Sequence, residues 1–478
     1  MPRCNIFLTV TALRPVSFYL AQAHRPRPET REGAQVNHNH DVLIINGGTP
    51  LTGELPVNRA KNSALYLMLA ALLTDEPVVL KDVPRLSDVL VSEEILRHVG
   101  VETSWHGADL HLHAANLRGH HAPYSLVSKM RASFVIMGAL LARTGEARVS
   151  MPGGCAFGPR PVDRHLAAFE AVGATIDEDD GDFYAHRSQP LSGTVRFEAP
   201  TVGGTQNILL ATALGAGEVT IENAALEPEV PDLANMLNAM GADVQGAGTS
   251  TIVVRGARKL KGVTYRPIAD RIEAGTYLLA AAATRGTLTL TDLEPQNLGS
   301  VLAALEATGA KVERGADWVR LDATGPLRPT DIEAEVFPGV PTDLQAPFTA
   351  YLATIPGMSR VRDHVYTDRF THVDELVRTG ARMTLDENEL EIRGGKLRGA
   401  AMHAADIRAG GALIVGALAA EGASEIGGMV YVDRGYADLA ERLRRLGAAV
   451  ERVGTRAAAT ANTPGMAAGI TPSVSLGD

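Results

Sequence analysis

A phrase of the type L-x-x-x-G-A-x-V returns six times along the chain, and no other feature restricts the fold as much. Its glycines are Gly100, Gly173, Gly241, Gly309, Gly380 and Gly447, at intervals of 73, 68, 68, 71 and 67 residues. Each glycine closes a helix-forming stretch, where a helix C-terminus favours a residue that tolerates left-handed backbone. The order around it repeats too. An apolar helix comes first: Ser63 to Leu73, Ala132 to Ala142, Asn207 to Leu214, Glu273 to Ala283, Ala409 to Ala420. A β-rich run follows, such as Pro77 to Leu80, Ala147 to Ser150 or Glu218 to Ile221. Then come a second helix, as at Val301 to Thr308, and more strand, as at Ser250 to Arg255. The fifth copy is the least regular, with Pro347 inside its first helix.

Two architectures accommodate such an array. One is an open solenoid whose units touch only their neighbours. The other is a pair of globular domains with three βαβαββ-like units each. Helices apolar on every side, such as Glu273 to Ala283, belong in an interior, and neither end of the array carries a polar capping repeat. Both points favour the second. On that reading residues 61–268 form one domain, and residues 41–60 with 269–455 form the other. Pro267 to Asp270 is the boundary, and the early strand crosses back to the C-terminal half. Residues 1–40 and 456–478 read as disordered tails. In the first of these, Arg14-Pro15 interrupts the apolar run that a secretory signal would need.

Composition narrows the function classes. A net charge of -10 argues against general nucleic-acid binding, which needs a basic surface. Two cysteines, Cys4 and Cys155, make no disulfide framework and suit a reducing compartment. No run approaches the roughly eighteen apolar residues of a membrane span. The expectation is a cytoplasmic protein. No H-E-x-x-H, C-x-x-C, P-loop or dinucleotide fingerprint is present, so neither a metal nor a nucleotide cofactor is expected.

Polar groups gather where the apolar helices begin: Lys61-Asn62, Lys129-Met130-Arg131, Gly203 to Asn207, Asp270 to Glu273, Thr342-Asp343 and Asp406 to Arg408. Helix N-termini attract anions. Lys61, Arg131 and Arg408 therefore stand where acids are favoured, and such a conflict points to function. Each also fits a pairing with a neighbouring acid. Asp343, in Pro-Thr-Asp-Leu-Gln, reads either as a helix cap or as a catalytic carboxylate. Cys155 lies in M-P-G-G-C-A-F-G-P-R-P, among three glycines and three prolines that forbid regular structure. A lone cysteine is commonly a small core residue. A thiol on such a loop, near Arg160, also suits an acid or nucleophile with a depressed pKa.

Several longer motifs occur in order between Leu43 and Arg452. They are G-G-x-P-L-x-G-E (Gly47 to Glu54), A-K-N-S-A-L (Ala60 to Leu65), P-R-L-S-D-V (Pro84 to Val89) and M-R-A-S (Met130 to Ser133). P-G-G-C-A-F-G-P-R-P-V-D (Pro152 to Asp163) and P-T-D-L-Q-A (Pro341 to Ala346) come next. R-F-T-H-V (Arg369 to Val373), A-D-I-R-A (Ala405 to Ala409) and V-D-R-G-Y (Val432 to Tyr436) complete the set. Together they resemble the UDP-N-acetylglucosamine 1-carboxyvinyltransferase family of enolpyruvyl transferases.

That resemblance implies a two-domain inside-out α/β barrel, three units per domain, with the site in the cleft and a cysteine on a mobile loop. It implies transfer of the enolpyruvyl group of phosphoenolpyruvate to the 3′-hydroxyl of UDP-N-acetylglucosamine, with release of phosphate and no cofactor. By it, Lys61, Arg131, Arg160, Arg408 and Arg434 hold the anionic groups of phosphoenolpyruvate. Cys155 is the acid and a possible site of a pyruvate adduct, and Asp343 meets the sugar hydroxyl. Asn62 contacts the sugar and the reaction centre. Arg160, Pro161, Val162, Asp163 and His165 fall at the uridine, and Thr201, Val202 and Gly203 at the diphosphate. Val365 and Arg369 fall near the sugar. The chain departs from the family pattern at Ala199, Pro159 and Asn58-Arg59, none of them a catalytic group. Two rivals remain: 5-enolpyruvylshikimate-3-phosphate synthase, whose family lacks the Pro-Gly-Gly-Cys loop, and an inactive regulatory paralogue.

Overall fold

The computed structural model describes residues 41–152 and 162–454. Among these, the strands form six sheets of four, all with one topology. Gly193–Arg196 runs parallel to Glu218–Glu222, which pairs antiparallel with Thr251–Arg255, itself antiparallel to Asp243–Gln245. Alternation decides which face turns inward. Val219, Ile221, Ile252 and Val254 are all fully buried, while the residues between them are half-buried or exposed.

Three sheets are completed by strands from far along the chain. Thr264–Tyr265 lies parallel to Val78–Leu80, and Thr52–Pro56 parallel to Thr287–Thr291. Val42–Gly47 is central in its sheet, antiparallel to both Gly422–Gly427 and Ala449–Val453.

Each sheet covers one apolar helix: Lys61–Ala70, Ile136–Thr144, Val202–Ala213, Arg271–Ala283, Thr342–Leu352 and Ile407–Ala419. These helices have little polar face to offer. In Arg271–Ala283 every residue after Arg271 is buried. They therefore sit inside, with sheets around them. The side chains gather into two cores. One includes Met68, Leu140, Leu209 and Leu260; the other includes Leu43, Ile45, Leu278, Phe348 and Leu413. The sheets stay separate, each with two free edges in its hydrogen-bonded order, and do not join into a closed barrel.

All six repeat glycines have positive φ, from 89° to 112°. The phrase recurs because each unit's second helix ends in the same left-handed turn. Four core helices begin earlier than their apolar pattern, at Lys61, Val202, Arg271 and Ile407. Their polar first turns belong to the helix. The stretch from Ala132 to Ala142 divides into a 3-10 turn, Arg131–Val135, and the helix Ile136–Thr144. Pro347 is accommodated within Thr342–Leu352; lacking an N–H, it makes no hydrogen bond to the Asp343 carbonyl one turn back.

Candidate active site

Lys61 opens its helix behind Ala60, which has no capping side chain. Its amide instead donates to Asp270 Oδ2 at 3.2 Å. The other oxygen of Asp270 accepts the amides of Ile272 and Glu273 at 2.9 and 3.0 Å. One carboxylate thus caps two helices, one in each core. Lys61 is buried, and its ammonium reaches Asp88 Oδ2 at 3.0 Å. Arg434, from the other core, takes Asp88 Oδ1 through Nε at 2.9 Å. Burial pushes the Asp88 carboxyl up, but Lys61 and Arg434 outweigh it and hold it below the usual value. Asn62, next to Lys61, is half-buried.

Asp343 forms a second centre. It does not cap its helix: Pro341 stands at the cap position and makes no side-chain bond. Its carboxylate lies between two guanidinium groups, Arg408 at 2.6 Å and Arg369 at 2.8 Å. Burial raises the Asp343 pKa; Arg408, Arg369 and more distantly Lys61 lower it far more, so the group is held firmly ionised. The supports are local. Asp406 caps the helix of Arg408 by accepting the amides of Arg408 and Ala409 at 2.8 and 3.1 Å. Thr371 anchors the second oxygen of Asp406 at 2.8 Å. Thr342 donates to Asp363 at 2.5 Å, and Asp363 also accepts the amides of Val365 and Tyr366 at 2.9 and 2.8 Å.

Arg131 is exposed and reaches the second core. It donates to the Tyr366 hydroxyl at 3.0 Å and lies 5.6 Å from that ring's centroid. Beside it, His165 accepts from Asn207 Nδ2 at 3.0 Å through Nδ1, with its ring edge-on to Phe134. Burial, then Arg131, lower its pKa from 6.5 to about 4, so the ring is neutral at pH 7. Gly203 permits the approach, since a Cβ there would lie 3.2 Å from His165 Cε1. Thr201 caps the helix beginning at Val202 by accepting from Gly204. Val162 is buried just ahead of the helix Asp163–Ala171, and Val365 is 36% exposed.

The structure therefore places Lys61 and Arg434 on one carboxylate and Arg369 and Arg408 on another, with Arg131 against Tyr366. Cys155, Arg160 and Pro161 lie outside the described residues. Sequence reasoning did not single out Asp88 or Tyr366, and it noted Asp270 only among the polar residues at a helix start. P-R-L-S-D-V was the only signal for Asp88, an acid in the first turn of Ser87–His98. One exposed trio, Glu333, Glu335 and His364, brings potential metal-ligand atoms within 4.8 Å of one another, but Arg362 already stands 3.7 Å from Glu333.

Known proteins resemble this chain in sequence and in fold. The family model described as EPSP synthase (3-phosphoshikimate 1-carboxyvinyltransferase) matches residues 45–443. A UDP-N-acetylglucosamine 1-carboxyvinyltransferase of Thermus thermophilus is 56% identical over 409 residues, covering 86% of this chain and 96% of its own. The chain belongs to the UDP-N-acetylglucosamine 1-carboxyvinyltransferase family. A Deinococcus radiodurans relative of the same name is 48% identical over 410 residues, covering 85% of this chain and 96% of its own. Among solved structures, the enolpyruvyl transferase NikO from Streptomyces tendae superposes with a TM-score of 0.78 at 27% identity, covering 87% of this chain and all of its own. EPSP synthase from Acinetobacter baumannii, at TM-score 0.68 and 19% identity with coverage of 87% and 100%, shares the fold. Among the described residues, no helix is long and apolar enough to cross a membrane.

Proposed function

We propose that the chain transfers the enolpyruvyl group of phosphoenolpyruvate to the 3′-hydroxyl of UDP-N-acetylglucosamine and releases phosphate, the first committed step of peptidoglycan synthesis, in the cytoplasm. One observation carries this reading: an ionised Asp343 held between Arg408 and Arg369, close enough for Lys61 of the other core to affect it. Two carboxylates gather four cations here, and a small polyanion competes with those carboxylates for them.

The chemistry follows. While both guanidinium groups face Asp343, its carboxylate is too weak a base to take a hydroxyl proton. When the carboxylate and phosphate of phosphoenolpyruvate draw Arg408 and its neighbours away, the Asp343 pKa rises and general-base action becomes possible. The 3′-oxygen then bonds to C2 of phosphoenolpyruvate, its proton passes to Asp343, and Cys155 supplies a proton to C3. Loss of a proton from C3 and cleavage of the C2–O bond to phosphate restore the double bond. His165 and the helix start at Thr201, Val202 and Gly203 suit the nucleotide. In this reading residues 61–268 act as one domain, residues 41–60 with 269–455 as the other, and they close over both substrates.

Phosphate release tests the reading. Purified protein with phosphoenolpyruvate and UDP-N-acetylglucosamine should release phosphate, and shikimate 3-phosphate should not replace the nucleotide sugar. Release with shikimate 3-phosphate alone would favour the sister enzyme. No release with either acceptor would favour a paralogue without activity.

A further inference from the structure

Two crossovers carry the chain between the cores, one through Val57 to Ala60 and one through Arg266 to Asp270, and they run side by side. The Ala60 amide donates to the Ile268 carbonyl and the Asp270 amide to the Asn58 carbonyl, each at 2.8 Å. Arg59 and Ala269 form an antiparallel bridge between them.

A chain of charges spans this pair. Arg266 makes a two-pronged contact with Asp292, at 2.8 and 2.6 Å, and turns Nε to Asp82 at 2.6 Å. Asp82 follows the strand Val78–Leu80 of the first core, and Asp292 follows Thr287–Thr291 of the second. Both have left-handed backbone, with φ of 56° and 60°, at matching places in the first and fourth units. From the other crossover Arg59, only 4% exposed, comes within 2.9 Å of the Asp292 carboxylate and donates to the Val57 carbonyl at 3.1 Å. None of these groups is bonded to Asp88 or Asp343.

We propose that Arg266 is a positioning residue for the transfer reaction: by tying Asp82 to Asp292 across the crossovers, it sets the angle at which the two cores present their parts of the site. Exposed ion pairs add little to stability one at a time. Their effect here is geometric, because Lys61 and Asp88 ride on one core, Asp343 and Arg408 on the other, and small misplacements are costly to catalysis. The kinetic test rests on the function proposed above; the scattering test does not.

Asp82→Asn and Arg266→Gln, singly and together, test this. Asparagine tolerates left-handed backbone, so Asp82→Asn removes charge without straining the turn. Each single variant should raise KM for UDP-N-acetylglucosamine by about three- to tenfold, with Tm within about 2 °C of the parent. The double variant should be no worse than the worse single, since both break one link. Arg266→Lys should restore part of the loss. Small-angle scattering without substrates should show a larger radius of gyration in both singles, returning to the parent value at saturating UDP-N-acetylglucosamine. KM within twofold of the parent in both singles, additive losses in the double, or unchanged scattering would overturn the proposal. If Arg266→Gln does not fold, Asp82→Asn decides alone. If the parent protein transfers no enolpyruvyl group, scattering still decides the positioning role.

Discussion

With Lys61 on one oxygen and Arg434 on the other, Asp88 sets how much positive charge the site carries before substrate arrives. Asp88→Asn keeps the shape but leaves a buried ammonium without its counter-charge, which costs roughly 3–5 kcal/mol when a buried pair is broken. A urea midpoint should show that loss, and kcat/KM for phosphoenolpyruvate should fall by at least about tenfold; parental values in both would remove Asp88 from the site. Asp343→Asn should lower kcat by roughly 10²–10⁴, the range for a lost general base, while UDP-N-acetylglucosamine still binds by calorimetry. His165 gives a pH signature. Its folded pKa of about 4 lies below the ordinary 6.5, so between these values the unfolded chain holds more protons and stability rises with pH. From pH 7 downward the denaturation midpoint should drop through this window, with a stability loss of about 3 kcal/mol in all. His165→Gln should flatten that part of the curve; an unchanged slope would show that His165 does not cause it. Lys61, Arg131 and Arg408 were legible as residues out of place at helix starts, whereas Arg369 and Arg434 came only through the family resemblance. Of their carboxylate partners, Asp343 was legible as a candidate but Asp88 was not, because an acid at a helix start looks like an ordinary dipole-matched residue.

Among the elements, the helices Ile136–Thr144 and Val202–Ala213 pack where Gly138 meets Asn207. A Cβ on Gly138 would lie 2.2 Å from the Asn207 carbonyl oxygen and 2.5 Å from its side-chain oxygen, which accepts the Gly138 amide at 2.8 Å. Backbone cannot yield as a flexible side chain can. Gly138→Ala should therefore destabilise by about 1–3 kcal/mol and raise KM for the nucleotide sugar, because Asn207 also holds His165. Gly299 supplies the contrast, having no atom within 4 Å of an added Cβ and ordinary helical φ. Gly299→Ala should raise stability by about 0.4–1 kcal/mol. Thermal melts of both variants check the pair, and equal effects would refute the packing argument. The core helices were legible from apolar runs, but four of their starts were read late by two to five residues, and that of Ile136–Thr144 was read early at Ala132. Lys61, Val202, Arg271 and Ile407 begin helices whose caps are Asp270, Thr201 or Asp406, or whose polar turn breaks the apolar pattern. For Lys61 the cap lies more than two hundred residues away, and no local pattern can report it.

For the whole molecule, the sixfold repeat made the unit visible, and the early strand was legible as crossing back to the C-terminal half, as its pairings show, but the strand that completes the first unit was not. Thr264–Tyr265 is two residues long, too short for any periodicity, yet it supplies the first unit's missing parallel strand. Val42–Gly47 is the reverse case, a clear apolar strand whose partners lie at the opposite end of the chain. Ile45 is fully buried there, so Ile45→Ala should cost about 2–5 kcal/mol. Hydrogen exchange should quicken first in Gly422–Gly427 and Ala449–Val453; quickening confined to the first core would contradict the pairing. The same strand imposes an order on synthesis. Val42–Gly47 leaves the ribosome early, but its neighbours begin at residues 422 and 449. At about 5–20 residues per second, some 20–80 s pass before they are made. Throughout that wait the nascent chain exposes an apolar strand whose sheet does not yet exist, which makes it a natural client for a ribosome-associated chaperone.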